Sequence, residues 1–403
     1  MRPTQLVIDL AALAHNFQRV RQLAPHSSMI AMVKANAYGH GLERIAQALP
    51  QADALGVASF EEAMCLRRAG VKQAIVLMEG LFYPDEWDEV FRQRFTLVVH
   101  HEAHVEMIEK QLSSPGAKLS SRGLTAGPSA LLGKTLGPAL KTARDDSVFA
   151  ARDDKLGIQK ISLWLKINTG MHRLGFDPQQ VPDIYQRLLA CSGVKQPIGW
   201  MTHFAQADTL DSEVTKQQIA LFEQVVATYP GPRSLANSAG ILAWPGAHAD
   251  WVRPGLMLYG AAPFAGKTGE DYGLKPVMTL RSQLIAIQTV KRGGRVGYGG
   301  EWAAPEELRI GVVGVGYGDG YPQCMPSGTP VLVNGRHCPL VGRVSMDMLT
   351  VDLRSQPQAK IGDPVVLWGA GLPVETIAAH SATSAYELLT RMTQRPRVEV
   401  SGY

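Results

Sequence analysis

Lys34 stands at the carboxyl end of the apolar run Ile30-Ala31-Met32-Val33 and opens the segment Ala35-Asn36-Ala37-Tyr38-Gly39-His40-Gly41. An ammonium in such a place can lose hydration, and lost hydration lowers a lysine pKa. A lysine poised in this way serves as an imine-forming nucleophile or a proton carrier. The segment alone also suits a lysine snorkelling from a strand end. What decides is which other groups the fold brings to the same place.

Further chemistry-bearing residues close or follow other apolar runs. Lys166 precedes Thr169-Gly170-Met171-His172-Arg173-Leu174-Gly175, and Thr202-His203-Phe204 ends another run. Asn237-Ser238-Ala239-Gly240 comes later, and Arg253-Pro254-Gly255 opens the eighth run. These are cations, an imidazole, hydroxyls and glycine amides. Backbone N–H groups near Ser238 and Gly255, with the hydroxyls of Ser238 and Tyr38, suit a phosphate. An imine-competent lysine beside a phosphate cradle is the arrangement that pyridoxal 5′-phosphate requires.

The elements that must position these groups alternate. Short apolar runs at 29–33, 54–58, 74–78, 96–99, 161–167, 198–201, 234–236 and 256–259 are separated mostly by helix-patterned stretches, among them 60–69, 84–92, 102–111, 178–190 and 212–229. Eight strand-then-helix units predict an α/β fold, an N-terminal (β/α)8 TIM-like barrel over 1–264. Active sites of such barrels lie at the carboxyl ends of the strands, where all of the groups above would gather. After about residue 265 the runs 277–288, 307–315, 329–334, 339–353 and 363–367 are β-branched or alternating, which predicts a mainly β C-terminal domain over 265–403. A last helix at 384–392 has Ser384 as N-cap with Glu387 three residues on.

Residues 113–158, rich in Gly and Pro, are too long for a helix-to-strand connection, which normally takes ~2–6 residues. They read as an insertion on the barrel's N-terminal face, away from the chemistry. Inside it, 127–135 imitates a phosphate loop but has five residues between its glycines where the motif needs four. The glycine-rich 314–320 lacks dinucleotide-fingerprint spacing and reads as tight strand geometry beside a ligand. His101-Glu102-Ala103-His104 is not a zinc helix, its histidines being three apart, and reads as a solvated face.

A chain of 403 residues, 45% hydrophobic, supplies two substantial cores. Its net charge of +4 is spread along the sequence, which disfavours nucleic acid and suits a small anionic substrate. The four cysteines, Cys65, Cys191, Cys324 and Cys338, form neither a CxxC pair nor a metal-ligand spacing, so no metal is expected and a reducing compartment is. No signal peptide and no membrane span is evident, and the expected location is the cytoplasm.

The motifs VKANAYGHG at 33–41, LKINTGMHRLGF at 165–176, MTHFAQAD at 201–208, VRPGLMLYG at 252–260, VGYGGEW at 296–302, GYGDGYP at 316–322 and GRVSMDM at 342–348 resemble alanine racemase, a fold-type III pyridoxal-phosphate enzyme. The resemblance runs nearly end to end apart from 113–158. It implies that Lys34 carries the cofactor as an imine and is the acid/base on the D-side of the substrate. Tyr298 would be the opposite base, reaching the site from the second subunit of a homodimer with shared active sites. Arg253 would face the pyridine nitrogen, Arg173 the cofactor's phenolic oxygen and the substrate carboxylate, and Met346 that carboxylate from the partner chain. Tyr38, Ser238, Gly255 and Tyr386 would hold the phosphate, with His203 against the ring. Lys166 matches a position often carbamylated in the family, and Asn168 stands where many members have Asp. Interconversion of L- and D-alanine follows, serving peptidoglycan precursor supply or alanine catabolism. The alternatives are a non-catalytic pyridoxal-phosphate homeostasis protein, which resembles the barrel alone, and a racemase of broader specificity.

Overall fold

The computed structural model describes residues 2–112, 160–381 and 383–402. The insertion expected at 113–158, with the phosphate-loop imitation inside it, lies outside the described residues. Eight parallel strands close into a barrel in chain order: Ser28–Met32, Ala54–Val57, Ala74–Leu77, Thr96–Val99, Leu163–Lys166, Gly199–Met201, Arg233–Ser234 and Trp251–Val252. The last closes on the first, with Ser28 opposite Trp251 and Met29 opposite Val252. The strands from Ala54–Val57 to Gly199–Met201 are buried along nearly their whole length. Helices cover one face and the barrel interior the other, so these strands read as continuous apolar runs. Gly199 leaves room inside the barrel: a Cβ there would stand 2.5 Å from the Trp164 ring.

Local capping starts the helices. Ser59, Ser212 and Ser384 accept the N–H of Glu62, Thr215 and Glu387, opening Phe60–Arg68, Glu213–Val226 and Ala385–Thr390. The mainly β domain is built on the long strand Met278–Val290. It pairs antiparallel with Leu308–Val313 and Pro364–Trp368, and with Gln5–Asp9 at the start of the chain. Gln5–Asp9 also pairs in parallel with Arg397–Ser401. Asp9, the last residue of that strand, caps the next helix, Leu10–Leu23, by accepting the N–H of Ala12 at 3.0 Å. Among the described residues, no helix is long and apolar enough to cross a membrane.

The sequence reading needs four corrections. The eighth strand is Trp251–Val252; residues 256–259 form the 3-10 turn Leu256–Tyr259, buried throughout, and a short fully buried run carries no period that separates turn from strand. Arg253 therefore follows the eighth strand instead of opening it. The run 339–353 breaks into Arg336–Pro339 and Leu349–Asp352 around a partly buried loop. The glycine-rich 314–320 contains the 3-10 turn Tyr317–Asp319 rather than a strand. His104 is not on a solvated face: it is half-buried, its Nε2 lies 3.0 Å from Leu81 O, and its ring meets His100 edge-on.

Candidate active site

Lys34 is followed by a backbone that proteins rarely build without glycine. Ala35, Asn36, Ala37 and Tyr38 have φ of 53°, 54°, 52° and 52°, a left-handed turn of four side-chain-bearing residues. Each such residue costs about 1–2 kcal/mol relative to its right-handed form. Backbone bonds offset part of this: Val33 N–H to Gly56 O at 2.9 Å, Ala37 N–H to Val33 O at 2.8 Å, and Gly41 N–H to Asn36 O at 3.0 Å. The Glu62 carboxylate accepts the Ala35 N–H at 2.6 Å. Glu62 was not singled out in the sequence, although Ser59-x-x-Glu62 spells a capping box and was a usable signal.

The turn delivers Tyr38 inward. Its ring stacks on Tyr259 at 4.8 Å and lies 6.0 Å from the Tyr386 ring. Burial pushes the Tyr38 phenol well above its usual pKa, so it is a hydrogen-bond donor at neutral pH. Its hydroxyl abuts Gly255, whose N–H donates to the Ser238 hydroxyl at 2.9 Å; Met257 N–H reaches the same oxygen at 3.2 Å. Tyr38, Ser238 and Gly255 are thus one contiguous group of polar atoms.

Beside them lies a cluster of positive charge. Arg253, 3% exposed, donates to Ser234 Oγ and to Thr202 O at 2.6 Å each, and to Leu235 O at 2.9 Å. These bonds fix its plane across the sixth to eighth strands. Burial lowers its pKa to about 9, still charged at neutrality. Its Nη2 approaches His203 Nδ1 at 3.4 Å. Burial, then Arg253, Lys166, Arg173 and Lys34, push His203 well below its ordinary pKa, so His203 is neutral. Lys166, at the end of the fifth strand and 7% exposed, is lowered to about 8 by burial first and then by Arg253, Arg173 and Lys34. Glu79 pulls the other way. None of Lys34, Lys166, Arg173 and Arg253 has a carboxylate ion-pair partner among the described residues. Convergent cations without a paired carboxylate are a site for an anion.

Asn168 shapes the loop that carries Arg173. Its Oδ1 accepts the N–H of Gly170 at 3.2 Å and of His172 at 3.0 Å, and its Nδ2 faces His172 Nδ1 at 3.1 Å. An amide nitrogen only donates, so His172 Nδ1 is the acceptor and its hydrogen sits on Nε2. An aspartate here would require the other tautomer.

Two expected site residues stand apart from this group, on the β domain. Tyr298 is 71% exposed, at the tip of the ribbon Arg295–Val296/Trp302–Ala303, which rests on a small core of Val296, Ala304, Leu308, Ile310 and Val341. Met346 is 52% exposed. Its carbonyl accepts the Gly318 N–H at 2.9 Å, and Tyr317 N–H donates to Ser345 O at 3.1 Å. The glycine-rich loop holds the Met346 loop at backbone distance: a Cβ on Gly316 would stand 2.2 Å from Ser345 O. The Met346 N–H has no acceptor among the described residues.

A closed parallel barrel with a lysine after its first strand and an arginine after its eighth, continued by a mainly β domain, places the chain in the class of two-domain barrel-plus-β proteins. The alanine racemase N-terminal domain matches residues 8–121 and 142–263, and the alanine racemase C-terminal domain matches 277–400. Biosynthetic alanine racemase of Escherichia coli (strain K12) is 46% identical over 396 residues, 98% of each chain. The crystal structure of biosynthetic alanine racemase from Pseudomonas aeruginosa is similar with a TM-score of 0.86 at 39% identity. That of alanine racemase from Acinetobacter baumannii has 0.84 at 36%; each comparison covers 100% of both chains. The chain belongs to the alanine racemase family.

Proposed function

We propose that the chain interconverts L- and D-alanine with pyridoxal 5′-phosphate, as a cytoplasmic homodimer whose sites are shared between subunits. The observation that carries this reading is the meeting of Lys34, Lys166, Arg173 and Arg253 without a carboxylate ion-pair partner among the described residues. The donor set fits the cofactor. The hydroxyls of Tyr38, Ser238 and Tyr386 suit its phosphate, the Ser238 oxygen being fixed by the Gly255 N–H, and the Lys34 amine suits its carbonyl. The contact of Tyr38 with a position that must lack Cβ makes the phosphate cradle close-fitting.

When bound, the cofactor supplies a sink for the electron pair left as the Cα proton departs. The remaining work falls to this chain's residues. Arg253, charged and held by Ser234 and Thr202, would face the pyridine nitrogen, and a guanidinium that keeps its protons would leave that nitrogen unprotonated. His203, neutral, offers a flat face to the ring. Arg173 and the free Met346 N–H of the partner subunit orient the substrate carboxylate, and Lys166, as a carbamate, orients Arg173. Lys34 moves a proton on one face of Cα, and Tyr298 of the partner subunit moves one on the other. The names of the relatives favour the biosynthetic direction over alanine catabolism.

The test is reconstitution of the purified protein with pyridoxal 5′-phosphate, followed by both directions of alanine racemisation. Lys34→Ala is expected to lose the cofactor's bound absorbance and the activity together. Racemisation by that variant without added amine refutes the assignment.

A further inference from the structure

Glu62 does something its sequence position does not require. In the capping box that Ser59-x-x-Glu62 spells, the carboxylate returns to the N–H of the capping serine. Here Oε2 accepts the N–H of Ala58, one residue earlier, at 2.9 Å. The other oxygen, Oε1, leaves the helix altogether and takes the N–H of Ala35 at 2.6 Å. One carboxylate thus joins the ends of the first two barrel strands, and one of its two bonds is to the residue directly after Lys34.

The far end of the same left-handed turn is also held. His40 Nδ1 lies 3.0 Å from Ala37 O and 2.9 Å from Tyr38 O. Both partners only accept, so Nδ1 carries the hydrogen. The imidazole is 1% exposed and its centroid is 4.4 Å from the Tyr259 ring, which prevents it from turning out. The turn is therefore gripped at its first N–H by Glu62 and at its last carbonyls by His40. Between these grips no glycine relieves the strain at Ala35, Asn36, Ala37 or Tyr38.

We propose that Glu62, assisted by His40, is a positioning residue of the reaction: it holds the turn left-handed and so sets the direction of the Lys34 amine and the Tyr38 hydroxyl. This rests on the reading of Lys34 as the amine that takes the cofactor. The chemistry of the clamp discriminates among substitutions. Glutamine keeps one acceptor oxygen but turns an NH2 toward the second N–H, so it can hold Ala35 or Ala58 and not both.

Two readouts test the proposal. In the cofactor-free protein, hydrogen exchange of the Ala35 and Ala58 amides is expected to accelerate about tenfold or more in Glu62→Ala, with the melting temperature within about 5 °C of wild type. In the loaded protein, the same variant should bind pyridoxal 5′-phosphate about tenfold more weakly and lose about tenfold in kcat, a loss of roughly one hydrogen bond to a charged group. Glu62→Gln should fall between, and His40→Phe should accelerate exchange over 37–40. If Glu62→Ala does not fold, exchange and cofactor affinity of Glu62→Gln decide in its place. Unchanged exchange overturns the clamp. Accelerated exchange with unchanged cofactor affinity and kcat reduces Glu62 to a structural role and overturns the proposal. A wild type that racemises nothing refutes the functional reading instead, while the exchange arm still judges the clamp.

Discussion

Tyr38 and Gly255 meet so closely that a Cβ on Gly255 would stand 2.5 Å from the Tyr38 hydroxyl oxygen. Tyr38 is held from its other side. Its ring stacks on Tyr259, and the Tyr259 hydroxyl is tied to Met32 O at 2.8 Å. The space at position 255 admits no side chain beyond glycine.

Gly255→Ala should therefore displace the Tyr38 hydroxyl and leave the barrel standing. Pyridoxal 5′-phosphate affinity is expected to fall about tenfold or more, about 1.4 kcal/mol. Absorbance titration of the apoprotein measures it. An alanine variant with wild-type affinity would show that the cradle does not depend on this contact.

In carbon-dioxide-free buffer, where Lys166 is a free amine rather than a carbamate, it gives a pH signature. Its pKa falls on folding from 10.5 to about 8, because burial and its cationic neighbours disfavour the charge. Between these values the unfolded chain binds the proton that the folded chain has released, so stability rises with pH across that window. Lys166→Met has no such proton. The stability of wild type minus that of Lys166→Met should thus climb from about pH 8 and level off near 10.5, read by denaturant unfolding of the apoprotein. Asn168→Asp brings a carboxylate two residues away and should move the onset to higher pH. A flat difference contradicts the perturbed lysine.

Glu375 provides a contrast with Glu62. A single oxygen, Oε1, accepts both the Ala262 N–H at 2.8 Å and the Gly269 N–H at 2.7 Å, joining the β domain to the segment that leaves the barrel. Glutamine can present the same single oxygen. Glu375→Gln is expected to cost under about 1 kcal/mol, and Glu375→Ala about 2–4 kcal/mol with two buried amides unpaired. Equal losses in the two variants would mean that the charge matters more than the acceptor. Urea midpoints separate the cases.

Much of this arrangement was readable in the sequence, for particular reasons. The first six barrel strands are mostly apolar because both faces are covered, so their runs stood out, whereas the two-residue strands Arg233–Ser234 and Trp251–Val252 were too short to show a run of their own. Lys34, Lys166 and His203 were found by one rule, that barrel chemistry sits after the strands, whereas Arg253 stood before the run taken for the eighth strand. The strand Gln5–Asp9 was missed because its sheet partners lie more than 260 residues away in sequence, and no local pattern reports such pairing. The left-handed turn was missed because Ala-Asn-Ala-Tyr holds no glycine to announce it. Glu62 was missed because its carboxylate is spelled as an ordinary cap and acts across 27 residues. The role of 314–320 was misjudged because its glycines make room for the Ser345–Met346 backbone rather than for a strand.

Tyr298 bears on the proposal of a shared site. A phenol 71% exposed at the tip of a ribbon, on a domain other than the one that carries Lys34, gains a catalytic role only when another surface covers it. Met346 is exposed on the same domain with an N–H that donates to nothing among the described residues. Both are the kind of group that completes a site in trans. Tyr298→Phe should keep cofactor affinity and melting temperature while losing about 10²–10⁴ in kcat, the usual worth of one positioned acid or base. Mixing inactive Lys34→Ala with inactive Tyr298→Phe then distinguishes the geometries. If Tyr298 serves the neighbouring subunit, heterodimers contain one site with both native bases, and activity returns toward a quarter of wild type at equal mixing, since half of the dimers are mixed and each has one of two sites intact. If each subunit serves itself, the mixture stays inactive at every ratio.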